Sequence, residues 1–495
     1  MMHYLLTNAL PPFSEFNVFW SVIVQFGILM AVLLLANVLR RRIPLLKKSL
    51  LPVAVIGGFL GLFLKYLFTG GIIPGFAIII DETPLITREV LAGFTYHAIA
   101  IGFAALTLKG IDQLTEGPVR LKANAVKSGM VIVNSYLLQG ILGITITILL
   151  SFIFSTIPNF VGFLLPMGFG QGPGQALSVG SIFANAGQFE FGIDMGLSIA
   201  AFGFLAASIG GVIYLNDLKR KGRLPEPTES SMEAANESTV LEGNGQIPLV
   251  DAVDKLTIQI AIIGFVYLSA WFVIYGLEQL ILASGVAFLI NNLIGLLYGF
   301  NFIIVVFLAM LYKVITRLLL RRGWMKRIYT NDFMLNRVAG LAFDVMMIAS
   351  IMAIDIAVVL DSGFIVTLLL LAVVGTVATY RYLRWVSQRV YPAYHDEAFL
   401  VFFGTMTGTA STGVALLREK DPYFKTPATN DIVYGSSMAI PLGFPLLLFV
   451  GIVYQGWIPL LIVLGILIAI FSLYHFFLSR SKKEKNLGHS LPTSK

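Results

Sequence analysis

The chain has 495 residues and a formal net charge of +7; 57% of the residues are hydrophobic and 12% are charged, about half the ~25% charged share of an average soluble domain. So few charges cannot cover a water-soluble protein of this length, which excludes a soluble enzyme, a nucleic-acid-binding protein and a secreted scaffold. The absence of cysteine excludes a disulfide framework and a thiolate metal site. A mean hydropathy of +0.85 and repeated apolar runs long enough to cross a ~30 Å hydrocarbon core predict an all-α integral membrane protein.

Eleven apolar runs are long enough to be membrane-spanning helices. The first has no basic segment before it and is too long for the core of a signal peptide, so we expect it to stay as a helix. In chain order the predicted helices are 17–39, 50–68, 89–109, 124–155, 191–215, 256–282, 286–311, 336–360, 363–387, 431–454 and 457–479.

Lysine and arginine are concentrated beside these runs, where they orient the spans because basic loops stay in the cytoplasm. The clusters follow the odd-numbered helices and therefore all fall on one side, at 40–48, 109–127, 219–223, 313–337, 381–389 and 480–485. We expect the N-terminus outside and the C-terminus in the cytoplasm, in a cell inner membrane. The basic charge thus reports on topology and not on an acidic partner.

Two glycine-rich stretches, 160–188 and 398–417, are apolar enough for the membrane but too broken to cross it as one helix. Unpaired backbone N–H and C=O groups cannot face lipid, so such a segment must be buried in protein or line a watery cavity. A re-entrant hairpin meets this condition. The sidedness predicts that the first hairpin opens outward and the second inward.

Each half of the chain has the same predicted order of four helices, a hairpin and one more helix. The halves, 1–215 and 254–455, are separated by a polar linker at 216–253. The first begins outside and the second inside, so they form two inverted five-helix repeats, and 456–495 adds an extra helix and a basic tail. Inverted repeats with broken helices are typical of secondary transporters, which predicts ion-coupled transport of a small anionic solute.

The first hairpin carries candidate substrate ligands, because amide and hydroxyl groups bind carboxylates and amines without a buried charge. Its two tip glycines can contribute main-chain groups. The alternatives are that the polar groups satisfy the hairpin backbone and that the glycines only allow close packing. These candidates are Gln171, Gly172, Gly174, Ser178, Ser181 and Asn185.

The second hairpin carries five hydroxyl side chains within eight residues. Hydroxyl and carbonyl oxygens suit Na⁺, a hard cation, although serine and threonine also pack helices in membranes. The predicted ion ligands are Thr407, Thr409, Ser411 and Thr412, and Thr405 and Ser436 are predicted to contact substrate.

Two aspartates complete the predicted ion site. Asp355 shares a helix face with Asp344, eleven residues earlier, and a carboxylate at membrane depth is seldom structural. Asp194 lies near the start of its helix. Each aspartate also has an interpretation other than ion binding. Asp355 could be solvated at the membrane interface, and Asp194 could interact with the dipole of its own helix. The sequence contains no paired-histidine motif, so it gives no indication of a metal ion other than Na⁺.

The ordered motifs resemble the bacterial sodium/glutamate symporter family across most of residues 18–455. They are Gly-Gln-Gly-Pro-Gly at 170–174, a Phe-Gly followed by Gly-Gly within 202–211 with Asp194 eight positions before it, an acidic lead-in at 395–400 and a proline-containing helix at 438–443. Gln171 and Pro173 stand where the family has histidine and threonine.

This resemblance implies sodium-coupled symport of an acidic amino acid by an elevator-type movement, with Na⁺ as the coupling ion and no cofactor. A homodimer is one assembly open to it, and its other partners are the anionic substrate and the bilayer. The residues leave open another organic anion, or H⁺ as coupling ion. A membrane enzyme would need a His and acidic cluster that the sequence lacks, and two hairpins entering from opposite sides suit alternating access better than a channel.

Overall fold

A computed structural model describes residues 18–68, 79–80, 83–110, 119–224, 255–422 and 425–480. Apart from a two-residue antiparallel ladder between β1 (Ile79–Ile80) and β2 (Thr83–Pro84), the regular structure described is helical. The main helices are α1 Val18–Arg42, α2 Pro44–Lys48, α3 Val53–Phe68, α4 Arg88–Leu108, α5 Val119–Ser151, α6 Pro173–Asn185, α7 Gly192–Arg220, α8 Lys255–Ser284, α9 Ala287–Gly299, α10 Asn301–Arg321, α11 Asp332–Met352, α12 Ile356–Val359, α13 Ser362–Val390, α14 His395–Thr407, α15 Ala410–Lys420, α16 Ala428–Phe449 and α17 Trp457–Ser479.

Nine of the described helices are long and apolar enough to cross a membrane, and α16, which bends by 48°, makes a tenth if it is counted as one span. The run predicted at 50–68 forms α3, which has 16 residues and is therefore about 24 Å long. The prediction of an all-helical protein with the character of a multi-pass membrane protein is confirmed.

Two predicted helices differ from those observed. The run 286–311 is not one helix, because α9 ends at Gly299 and α10 begins at Asn301 after Phe300 leaves the helical conformation. The run 336–360 ends early, at Met352, and Asp355 then starts the short helix α12. The Asp355 side chain caps the start of α12, and hydropathy alone registers neither break.

The predicted linker at 216–253 falls mostly outside the described residues. Helix α7 continues to Arg220, so the first residues of that stretch are helical and not extended.

Six helices form a row in which each packs on the next, in the order α1, α3, α11, α4, α10 and α8. Glycines on α3 allow one of these close approaches. A β-carbon built at Gly58 would lie 2.7 Å from Ile351, and Gly57 faces Ile348. Small residues at a helix crossing are the usual means of close packing in membranes.

A lysine near each end of this helix row caps the end of a neighbouring helix. Lys65 of α3 donates to the carbonyl oxygens of Met352 and Ile354 at the end of α11, at 3.0 and 3.2 Å. Lys313 of α10 donates to the carbonyl oxygen of Lys109 at the end of α4. These bonds satisfy carbonyls that the helix itself leaves unpaired.

The remaining long helices form a second group around α5. This bundle contains α5, α7, α13, α16 and α17, together with the two glycine-rich segments. Three buried hydrogen-bonded pairs join α5 to α13 and its C-terminal end. Residue numbers rise along α5 as they fall along α13, so the two helices are antiparallel. The pairs are Ser128 with Tyr391 at 2.8 Å, Asn134 with Tyr382 at 2.7 Å and Gln139 with Thr379 at 3.0 Å.

Candidate functional site

The first glycine-rich stretch folds as two helical arms around Gly172, and we call residues 161–185 the first broken segment. Its first arm is irregular, with a 3₁₀ turn at Val161–Phe163 and a π-helical turn at Met167–Gln171. Gly172 has φ +91°, a conformation that a side chain would strain. Pro173 then opens α6, where its fixed φ suits a first helical position.

The second stretch also folds as two arms, and we call residues 395–420 the second broken segment. Its arms are α14 and α15, and they pack against each other. Glycines make this possible, because a β-carbon built at Gly404 would lie 2.6 Å from the Cα atom of Gly413. The break follows Thr407, and the Thr409 hydroxyl caps α15 by accepting a bond from the Thr412 amide at 3.4 Å.

The ends of the two first arms meet against α7. A β-carbon built at Gly203 of α7 would lie 3.1 Å from the ring of Phe169, in the first broken segment, and even closer to the carbonyl oxygen of Thr407, in the second. The Met167–Gln171 turn also packs directly on α14. The two breaks are therefore brought together inside the bundle. A side chain at Gly203 would occupy the space in which they meet.

Gln139 of α5 lies between these two ends. Its amide nitrogen donates to the carbonyl oxygen of Met406 at 2.9 Å and to Thr379. Its amide oxygen lies 3.0 Å from the position of a β-carbon at Gly170. Gln139 thus contacts both broken segments while fully buried.

Two buried amide oxygens near the breaks have no hydrogen-bond partner among the described residues. They belong to Gln139 and to Gln175, three residues after Gly172. Buried polar atoms normally have partners, so an unpaired one needs an explanation. Both are acceptors and would suit a cation or an ammonium group.

Most of the predicted hydroxyl ligands donate to a carbonyl four residues earlier in their own helix. This holds for Ser178, Ser181, Thr405, Thr407 and Ser436. Such a bond uses the hydroxyl hydrogen but leaves oxygen lone pairs free to accept. The arrangement favours ligation of a cation over donation to an anion.

The predicted site residues differ in exposure. Thr407 and Thr412 are fully buried, whereas Gln171 and Thr409 are half-buried, and Asn185 and Ser411 are exposed. Gly172 and Gly174 are buried, and Gly174 lies against Ile99 of α4. The residues next to the breaks are thus brought together, and Asn185 lies at the far end of its arm.

The two aspartates lie in a separate cluster. Asp194 is completely buried and pairs with Arg88 at 2.8 Å, and its other oxygen accepts the Asp355 amide at 3.1 Å. Asp355 accepts the Tyr66 hydroxyl at 2.8 Å and caps α12 through the Ala357 amide at 2.9 Å. These contacts give both carboxylates structural partners, away from the two breaks.

Sequence reasoning missed Gln139, Gln175 and Thr379. A signal was present, because a glutamine inside an apolar span is costly and usually has a partner within the protein. Asp344, by contrast, is half-buried in the middle of α11 and has no hydrogen bond or ion pair within the described ranges.

No group of three or more His, Cys, Asp or Glu side chains that could hold a metal ion occurs among the described residues. Neither the protein-family models nor the curated protein sequences compared with the chain contain a match.

Proposed function

We propose that the protein is a secondary active transporter that couples uptake of glutamate, or a similar small acidic amino acid, to Na⁺ by an elevator-type movement. The observation that carries this proposal is the meeting of the two broken segments beside Gln139. Irregular backbone at membrane depth is tolerated where it lines a site, and broken helices that meet in the interior are typical of transporters.

The helix row supports an inverted repeat. From one end the order is α1 and α3, the first and second helices of the first half, and then α11, the third helix of the second half. From the opposite end the order is α8 and α10, the first and second helices of the second half, and then α4, the third helix of the first half. Lys65 and Lys313 are each the thirteenth residue of their helix. The helices that they cap, α11 and α4, both have 21 residues. Equivalent capping bonds in both halves favour a common architecture.

The packing also supports a division into a fixed and a moving part. The first broken segment contacts the helix row, with Gly174 against Ile99 of α4, and it also contacts α9 through Ile182 and Gly299. Within the described chain, the second broken segment packs on α5, α7, α13 and α16 and not extensively on the row. With the topology predicted from the basic clusters, the segment that contacts the helix row is the one predicted to open outward.

The chemistry of the breaks suits the proposed solutes. Backbone N–H groups in the first turns of α6 and α15, other than the Thr412 amide that bonds to the Thr409 hydroxyl, have no partner within their helix and attract a carboxylate. The buried hydroxyl oxygens of Thr407 and Thr412 and the amide oxygens of Gln139 and Gln175 are acceptors for Na⁺ or an ammonium group. A second candidate function keeps this site but transports another organic anion, or uses H⁺ as the coupling ion. Gln171 and Pro173 favour it, because they replace the histidine and threonine that the symporter family has at the tip.

Uptake by proteoliposomes tests the proposal. We expect labelled glutamate to accumulate when Na⁺ is high outside, and Gln139→Leu to abolish accumulation because it removes the contact between the segments. Thr145→Val changes an exposed hydroxyl on the same helix and should transport normally. A panel of amino acids and dicarboxylates under Na⁺ and H⁺ gradients identifies the cargo, and no uptake of any of them by folded protein would overturn the proposal.

A further inference from the structure

A groove of about 780 Å³ runs between α7 and α13. Its apolar wall includes Ile209 and Ile213 of α7 and Val373 of α13, and about 60% of each of these side chains is exposed. Both helices are long and apolar enough to span a membrane. The groove therefore faces the bilayer, and an apolar chain is the only neighbour that fills it without cost.

One end of the groove is cationic. Arg381, Arg384 and Gln388 line it, and all three are exposed. Arg384 lies over the ring of Tyr214 at 6.0 Å and is hydrogen-bonded to the Tyr380 side chain. It also interacts electrostatically with Asp217, which is bonded to Lys221 at 2.5 Å. Arg381 forms no ion pair with any described residue. The Arg381 guanidinium is therefore available to an external anion, with Arg384 one helical turn away, and the planar donors of a guanidinium match the oxygens of a phosphate.

We infer that this groove binds an anionic glycerophospholipid, with an acyl chain between α7 and α13 and the phosphate at Arg381 and Arg384. The apolar part of the groove is complementary to the acyl chain of such a lipid, and the two arginines at its end are complementary to the phosphate. Trp385 lies at the same end, and tryptophan is enriched at the level of lipid headgroups. The basic clusters place this end at the cytoplasmic leaflet, which carries anionic lipids.

The second broken segment packs behind the groove, against residues of α7 and α13 that line it. A β-carbon built at Gly210 would lie 2.6 Å from the ring of Phe403, and the rings of Tyr380 and Phe403 are 5.4 Å apart. A lipid in the groove therefore rests against the two helices that hold α14 in place. Its binding does not depend on which solute the protein carries.

Quenching of Trp385 by brominated lipids tests this inference. The full chain keeps Trp385, while Trp20, Trp271, Trp324 and Trp457 are replaced by phenylalanine, and phosphatidylglycerol or phosphatidylcholine with brominated chains is titrated into micelles. We expect half-quenching at a lower fraction of phosphatidylglycerol. Arg381→Gln should reduce this preference about fivefold, the equivalent of about 1 kcal/mol for one basic residue, whereas Arg321→Gln, an exposed arginine outside the groove, should not.

The apolar part has its own matched pair. Val373→Phe should weaken quenching by both lipids because it fills the groove, and Leu370→Phe, on the same helix but outside the groove lining, should not. Native mass spectrometry of the unmodified chain should show retained phosphatidylglycerol, which guards against misfolding of the tryptophan variants. Equal half-quenching by the two headgroups, no effect of Arg381→Gln, or protection of Trp385 from both lipids by a second copy of the chain would overturn the inference.

Discussion

Asp355 lies where α11 has ended and α12 begins, and its carboxylate is held by the Tyr66 hydroxyl and the Ala357 amide. Burial acts to raise the pKa of this carboxyl, but these two hydrogen bonds and the nearby Lys65 and Arg88 outweigh it, so the pKa lies below its ordinary value. Asp355 therefore stays ionised at physiological pH. This favours a capping role over the proton-carrying role that the sequence left open.

We expect Asp355→Asn to lower the thermal unfolding midpoint in detergent by the same amount from pH 8 to pH 5. A carboxyl with a lowered folded pKa contributes stability above its unfolded pKa of about 3.9, and loses it as pH falls through the folded value. The difference from the parent chain should therefore shrink only below about pH 4. Tyr66→Phe should move this loss to higher pH. A difference that changes between pH 5 and 7 would restore a proton-binding role.

At the scale of elements, the crossing of α5 with the first broken segment depends on two glycines. Gly143 and Gly162 face each other so closely that a β-carbon on either would overlap the backbone of the other. Thr147 of α5 joins the same crossing by donating to the Asn159 carbonyl oxygen at 2.7 Å and accepting the Gly162 amide at 3.1 Å. The irregular first arm is thus held by backbone contact and hydrogen bonds as well as by apolar packing.

We expect Gly143→Ala to destabilise the protein by about 1–3 kcal/mol or more, because neither backbone can move away without losing these bonds. Gly140→Ala on the same helix meets only ordinary contacts, the nearest at 3.5 Å, and should be neutral or stabilising because alanine favours helix over glycine by about 1 kcal/mol. Unfolding midpoints in one detergent measure both. Equal midpoints for the two variants would show that this crossing has room to relax.

At the scale of the whole molecule, the proposed mechanism depends on the two broken segments reaching opposite membrane faces. The far end of the first is marked by exposed Asn185, and the far end of the second by exposed Glu419. The contact between Arg88 of α4 and Asp194 of α7 joins the helix row to the bundle, so the proposed elevator movement must break it. Sidedness of the two segments is therefore the most direct test of the architecture.

Because the chain has no cysteine, single cysteines can be introduced without background. We expect Asn185→Cys to react with a membrane-impermeant maleimide added outside intact cells, and Glu419→Cys to react only when the cytoplasmic face is opened. Ser284→Cys and Lys221→Cys mark the predicted outer and inner faces. Labelling of both segment positions from one side would contradict the inverted arrangement and, with it, the proposed alternating access.

The sequence by itself determined the class of protein and most helix positions, because hydropathy is a local property that the bilayer reads directly. It also indicated that 160–188 and 398–417 are too broken to form one helix each, since glycine and proline act on their own backbone. It did not reveal the break at Phe300 or the early end of α11, where one residue's conformation interrupts an apolar run.

Only the tertiary structure decided which residues meet. Gln139 and Met406 are 267 positions apart, and Arg88 and Asp194 are 106 apart, so no local pattern connects them. The same holds for the groove, whose two walls come from α7 and α13. Local preferences set where a helix begins and ends, whereas the burial of polar groups away from lipid requires partners that long-range packing alone supplies.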